Sequence, residues 1–301
     1  MVESDDGVRR ICHPRGKKSQ ALVGDRVLWC PAPEGQGEEG TVEKVLPRRN
    51  LLYRQDELRT KSFAANIDQV LLLLAAEPVF SESQLARALV AAEAAGIAPL
   101  IALNKSDLPQ PFARAWERLA PYRAIAHTDG RPGRYPVLAL SLAQGDTPEQ
   151  RALLAHHLDG KTTLVLGPSG TGKSTLINLL VPGAQVVTGE ISQALNSGRH
   201  TTTSTTWYWL DGARRTALID SPGFQEFGLR HIPATELARC MPDIGAHASA
   251  CRFYNCSHVH EPGCAVRAQL ASADQPTQGI SAQRYRLYCE LLEELNAPPR
   301  Y

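Results

Sequence analysis

The chain has 301 residues, 43% of them hydrophobic, with a formal net charge of +1 and seven cysteines. That much apolar material excludes a disordered chain, and the near-neutral balance excludes a whole-molecule field for nucleic acid, so RNA would have to be met by local basic patches. The longest apolar runs, such as residues 70–76, fall far short of the roughly 20 residues of a membrane span, and the acidic start argues against an export signal, so a cytoplasmic, monomeric protein with no membrane partner is expected.

Residues 1–62 carry short β-like runs at 21–30 and 41–46, separated by the turn-rich Pro31-Ala-Pro-Glu-Gly-Gln-Gly, and predict a small all-β unit. Base gathers there, as Arg9, Arg10, His13, Arg15, Lys17 and Lys18 and again as Arg48, Arg49 and Arg54. Such clusters are either solvated faces or, on a small β-barrel, a surface for single-stranded RNA. Across residues 63–229 the pattern changes to apolar runs (68–75, 99–103, 137–140, 162–166, 216–219) alternating with helix-like segments at 82–95 and 173–180. This is the signature of a parallel sheet covered by helices. Residues 230–301 hold a cysteine cluster and an amphipathic segment at 281–295, expected to be a closing helix.

Directly after the apolar run 162–166 stands Gly167-Pro168-Ser169-Gly170-Thr171-Gly172-Lys173-Ser174, followed by Thr175 at the start of a helix. Strand, glycine-rich loop and helix in that order are the context of a phosphate-binding loop. The glycines let backbone N–H groups converge on phosphates, Lys173 reaches the β- and γ-phosphates, and Ser174 ligates Mg²⁺.

Asn104-Lys105-Ser106-Asp107 follows the run 99–103 and resembles the guanine-specificity motif of the GTPase superfamily. A carboxylate at Asp107 accepts from the N1–H and exocyclic N–H₂ of guanine, a donor pair that adenine lacks. Ser141 stands after the run 137–140, where that superfamily has a Ser-Ala pair near the guanine oxygen; Leu142 departs from the pattern. Asp220-Ser-Pro-Gly223 closes another strand, with Asp220 expected on Mg²⁺ and the Gly223 N–H at the γ-phosphate. Upstream, Arg199-His200-Thr201-Thr202-Thr203 fits a first switch loop; Thr202 is the expected nucleotide contact, and which threonine reaches the metal stays open.

The guanine motif precedes the phosphate loop by roughly sixty residues, the reverse of the ordinary order. A doubly wound sheet gathers its loops at one edge wherever the chain begins, so a circular permutation leaves the site intact. Phe224 occupies the place where many GTPases carry a water-orienting glutamine, which leaves His200 as the candidate to position or polarise the attacking water.

Cys251-x4-Cys256-x-His258-x5-Cys264 supplies three thiolates and an imidazole within fourteen residues, the ligand set of a closed structural zinc site. An odd cysteine count and this crowding fit a reduced compartment better than a disulfide framework.

Together with Pro14-Arg-Gly-Lys-Lys, Val23-Gly-Asp-Arg-Val, Leu46-Pro-Arg-Arg-Asn-Leu-Leu, Ala64-Ala-Asn-Ile-Asp, Gly198-Arg-His-Thr-Thr-Thr and Glu261-Pro-Gly-Cys, these motifs resemble the ribosome small-subunit-dependent GTPase A family of bacteria. The resemblance implies an α/β fold: a circularly permuted GTPase domain between an N-terminal OB-like barrel and a mainly helical, zinc-binding C-terminal domain. It also implies GTP hydrolysis in late maturation of the small ribosomal subunit, with that subunit and its rRNA as partners and with Mg²⁺ and one structural zinc as cofactors. Only a few residues precede Arg9, so the first barrel strand is expected to be shortened or missing. A binding switch that scarcely hydrolyses GTP, favoured by Phe224, and an ATP-dependent kinase, disfavoured by Asn104 and Asp107, are the competing readings.

Overall fold

The computed structural model describes residues 1–15, 21–32, 39–56, 60–127, 133–181, 183–184, 186, 205–222, 227–270 and 279–298. The N-terminal strands are β1 (Val2–Glu3), β2 (Arg9–Arg10), β3 (Cys12–Pro14), β4 (Val27–Pro31), β5 (Gly40–Val45), β6 (Leu51–Gln55) and β7 (Thr60–Ala65). Among the described residues they pair as β1-β2, β3-β5-β4 and β6-β7, without closing into one hydrogen-bonded ring. The run expected at 21–30 becomes a strand only from Val27. Before it the chain turns at Gly24 (φ +89°), and Asp25 closes that turn by accepting the Leu22 N–H at 2.8 Å.

Central to the molecule is a six-stranded sheet built of β8 (Gln69–Ala75), β9 (Ala98–Asn104), β10 (Val137–Ala139), β11 (Thr162–Leu166), β12 (Thr206–Trp209) and β13 (Ala217–Asp220). The spatial order is β10-β9-β8-β11-β13-β12, with only β12 antiparallel to its neighbour. Every residue of β8 is buried, as a central strand covered on both faces requires. Its side chains alternate between two cores. Val70, Leu72 and Leu74 pack with Leu85 and Leu89 of α1 (Glu82–Ala94), whereas Leu71 and Leu73 pack with Leu154 of α4 (Pro148–Leu158) and Leu176 of α5 (Lys173–Leu180). Two shorter helices, α2 (Pro109–Arg118) and α3 (Ala120–Arg123), follow β9.

The apolar runs foretold the parallel strands to within a residue or two, but not β12. Its Thr-Trp-Tyr-Trp sequence shows no alternation because all four residues are half-buried at a sheet edge. Beyond the sheet, α6 (Pro242–Ala248), α7 (Ala265–Ala268) and the expected closing helix, α8 (Ala282–Asn296), complete the C-terminal part. Ser281 caps α8 by accepting the Arg284 N–H at 3.2 Å. The helix lies against the sheet domain, where Arg87 of α1 donates to Glu294 at 2.8 Å. At the junction of the three regions Gln55 bridges Leu229, accepting from Arg230 N–H and donating to the Gly228 carbonyl, both at 3.0 Å. Among the described residues no helix is long and apolar enough to cross a membrane.

Candidate nucleotide site and metal centre

The sheet order reverses between β8 and β11, since the chain runs outward from β8 to β10 and returns to the centre with β11. Ligands of open α/β sheets bind outside the carboxyl ends of the strands at such a switch point. Asn104 ends β9, Ser141 follows β10, Gly167 follows β11, and Asp220 ends β13, so these sequence-predicted groups meet at one edge.

Asn104 is the central fastener. Buried to 3% exposure, it donates from Nδ2 to the Thr171 carbonyl at 2.9 Å and accepts the Leu142 N–H on Oδ1 at 3.0 Å. One amide thereby ties the guanine motif to the phosphate loop and to the turn after β10. Gly172, at φ +101°, permits this approach, because a Cβ there would lie 2.6 Å from Asn104 Nδ2. Leu142, the departure from the Ser-Ala pattern, is buried, with Cδ1 3.2 Å from where that Cβ would be. Its larger side chain fills space beside the glycine.

Asp107 stands exposed after Lys105 and Ser106, and its Oδ1 accepts the Ser141 Oγ–H at 2.7 Å. Lys105 adopts φ +70°, and Ser106 N–H donates to the Leu140 carbonyl at 2.9 Å, which pins the motif to the neighbouring strand. Ser141 is held from behind by Gln150 of α4, a residue the sequence reading did not single out.

In the phosphate loop Thr171 Oγ1 donates to the Pro168 carbonyl at 2.9 Å, while Ser169, Gly170 and Thr175 are exposed. Lys173 and Ser174 open α5, whose N-terminal dipole favours anions. Burial pulls the Lys173 ammonium below its ordinary pKa, opposed by the Asp220 carboxylate beside it. Asp220, 1% exposed, and the Ser174 hydroxyl are hard oxygen donors of the kind Mg²⁺ takes. The predicted contacts His200, Thr202 and Gly223, and Phe224 with them, lie outside the described residues.

The second cluster forms as its spacing predicts. The ligand atoms of Cys251, Cys256, His258 and Cys264 lie within 4.8 Å of one another. Cys251 Sγ is 3.4 Å from His258 Nδ1 and 3.9 Å from Cys264 Sγ, and Cys264 Sγ is 3.7 Å from the same nitrogen. Zinc–sulfur bonds of about 2.3 Å and zinc–nitrogen bonds of about 2.0 Å in a tetrahedron give edges of roughly 3.5–3.8 Å, so the set is compatible with one structural zinc. Surrounding groups hold the loop. Glu261 accepts the Ser257 N–H at 2.9 Å and the Ser257 hydroxyl at 2.7 Å; Tyr285 and Tyr288 of α8 donate to the carbonyls of His258 and Ser257 at 2.8 and 2.9 Å. Burial opposes ionisation of Glu261, yet these Ser257 donors and neighbouring N–H groups keep its carboxyl well below the usual range.

Much of the N-terminal base is already matched. Arg9 pairs with Glu3 at 2.7 Å, His13 with Glu39 at 2.8 Å, Arg48 with Asp25 at 2.7 Å, Arg49 with Asp68 at 2.8 Å, and Arg15 with Glu43. Lys17 and Lys18 lie outside the described residues.

The family described as RsgA GTPase matches residues 45–230. A relative from Variovorax paradoxus (strain S110), the small ribosomal subunit biogenesis GTPase RsgA, is 63% identical over 296 residues, covering 98% of this chain and 89% of its own. A protein of that same description from Burkholderia pseudomallei (strain 668) is 50% identical over 295 residues, covering 98% and 88%. Among solved structures, YjeQ from Thermotoga maritima superposes with a TM-score of 0.71 at 28% identity, covering 98% of this chain and 92% of that one. YloQ, described as a circularly permuted GTPase, gives 0.68 at 28% identity, covering 99% and 91%.

Proposed function

The chain belongs to the RsgA GTPase family, and on that footing we propose that it hydrolyses GTP to GDP and phosphate in late maturation of the small ribosomal subunit, with turnover stimulated by that subunit. The observation that carries this reading is the convergence of Asn104, Asp107, Lys173 and Asp220 at the carboxyl edge of one sheet, with Asn104 tied to Thr171 and Leu142 and Asp107 to Ser141.

In this reading Asp107 receives the guanine N1–H and exocyclic N–H₂, with Lys105 and Ser106 shaping the base pocket and Ser141 beside it. Gly167, Pro168, Ser169, Gly170, Thr171 and Gly172 wrap the phosphates with Lys173, Ser174 and Thr175 at the helix start. Ser174 and Asp220 would hold Mg²⁺, which supplies charge neutralisation on the phosphates when bound. Thr202 and Gly223 complete the nucleotide contacts. His200 orients and polarises the attacking water; as water oxygen bonds to the γ-phosphorus, the bond to the β–γ bridging oxygen breaks and GDP leaves with that electron pair.

The flanking regions serve docking. We read residues 1–62 as an OB-like RNA-binding barrel, 63–229 as the permuted GTPase domain and 230–301 as a zinc-binding domain, with one zinc on Cys251, Cys256, His258 and Cys264. The N-terminal basic residues and the metal-folded module would meet rRNA, in the cytoplasm, with the protein acting as a monomer. Because the second switch at Asp220 runs directly into the C-terminal part, docking there bears on the hydrolytic site; where docking also tightens GTP binding, GTP tightens docking by the same factor.

The test is GTP turnover at matched enzyme concentration with no addition, with small subunits and with large subunits. Acceleration by small subunits alone is expected. Equal rates in all three, or stimulation by large subunits alone, would defeat the reading.

A further inference from the structure

Thr147-Pro-Glu-Gln150 has the spacing of a capping box, in which an N-cap hydroxyl meets the N–H three residues on and the Glu or Gln there returns to the N-cap N–H. Only the first half forms. Thr147 Oγ1 accepts the Gln150 N–H at 3.2 Å, but Thr147 N–H donates instead to the Gly145 carbonyl at 3.2 Å. The Gln150 carboxamide is thereby released for other work. Its Oε1 accepts the Ser141 N–H at 2.9 Å and its Nε2 donates to the Gly145 carbonyl at 3.0 Å.

One buried amide, on a residue 9% exposed, therefore clasps both ends of the turn at 141–145. Ser141 in its turn donates its hydroxyl to Asp107 Oδ1 at 2.7 Å. We propose that Gln150 is a positioning residue for guanine recognition: it fixes Ser141, and the Ser141 hydroxyl aims the Asp107 carboxylate at the base. The turn presents one donor and one acceptor, and an amide matches both, whereas a carboxylate matches one and a thioether neither. Leaving the buried Ser141 N–H unmatched loosens the turn, so the cost falls on base discrimination before it falls on phosphate binding.

This inference rests on Asp107 being the base-reading carboxylate, and the experiment separates the two. Dissociation constants for GDP, IDP and ADP are measured by displacement of a fluorescent GDP analogue from wild type, Gln150→Met, Ser141→Ala and the double variant. IDP lacks only the exocyclic amine, so the GDP-to-IDP ratio reads the aim of Asp107, while ADP reads the phosphate loop. Gln150→Met is expected to lower that ratio about tenfold, near the value of one hydrogen bond to a charged group, with ADP affinity little changed. In the Ser141→Ala background it should lower the ratio scarcely further, because both act through one hydroxyl.

A merely structural amide would weaken all three nucleotides in proportion and leave the ratio unmoved, which overturns the proposal; so do independent, additive losses. If wild type itself shows no preference for GDP over ADP, the base-reading site fails and the proposal with it. Should Gln150→Met not accumulate as folded protein, Gln150→Asn carries the test, since it keeps the amide but is one methylene too short to hold Ser141 and Gly145 together. A ratio between those of wild type and Ser141→Ala supports the proposal, and a wild-type ratio overturns it.

Discussion

Arg284, 2% exposed, grips Asp243 at two points, Nε to Oδ2 and Nη2 to Oδ1, each at 2.8 Å, while its guanidinium carbon lies 5.0 Å from the centre of the Tyr122 ring. The pair joins α8 to α6 and faces α3, so it fastens the C-terminal region to the sheet domain. Breaking one partner of such a buried pair leaves an uncompensated charge. Asp243→Ala should therefore lower unfolding free energy by about 3–5 kcal/mol in urea titration, and Asp243→Leu combined with Arg284→Met should cost less than the single change. A single substitution within 1 kcal/mol of wild type would show the pair to be dispensable.

A second fastening titrates. Arg87 beside Glu294 holds that carboxyl below its ordinary 4.5, so the pair contributes stability above that value and loses it as pH falls through the lower folded value. Glu294→Gln should flatten the acid limb of the melting temperature curve below about pH 4.5 and reduce stability at neutral pH. Parallel curves for the two proteins would exclude this contribution.

At the base site, Asp107→Asn should weaken GTP and favour xanthosine triphosphate, because an amide can donate to the oxygen that replaces the exocyclic amine. Competition binding with the two nucleotides reads the switch. Unchanged GTP affinity would refute the role of Asp107.

His200→Ala should bind GTP nearly as wild type does and hydrolyse it about 10²-fold more slowly, the usual scale for a positioned acid–base group. Single-turnover kinetics in the presence of small subunits measures the step itself. A wild-type rate would leave the histidine without a chemical role.

Elemental analysis of folded, chelator-washed protein should return one zinc per chain, and Cys264→Ser should lower both zinc content and melting temperature, since structural metal contributes folding free energy outright. Folded protein that carries no zinc after purification in zinc-replete medium would refute the site.

How far the sequence could be read depended on whether the physical demand was local. The loop from Gly167 to Ser174 and the set Cys251, Cys256, His258 and Cys264 each place their whole chemistry within a few turns of chain, so composition and spacing suffice. Parallel strands such as Gln69–Ala75 are legible because burial on both faces forces an apolar run. Arg284 was not, since its burial depends on Asp243, 41 residues away, and an arginine on an amphipathic helix ordinarily faces water. Gln150 hid behind a capping motif whose second half is never made. The ion pairs of the N-terminal base were not legible either. Arg48 and Asp25 meet across 23 residues, turning apparent free charge into an internal pair.

The pairing of β8 with β11 also sets an order of assembly during synthesis. Gln69 and Thr163, joined by a hydrogen bond of 2.8 Å, are 94 residues apart, so β8 and β9 are synthesised well before β11. The β8–β9 pair can form early, while the inner edge of β8 stays open until residues 162–166 emerge. An apolar strand with an unpaired edge is where a nascent chain mispairs or aggregates. For this protein, a pause in translation between Asn104 and Thr162 prolongs the exposure of that edge, and completion of β11 seals it.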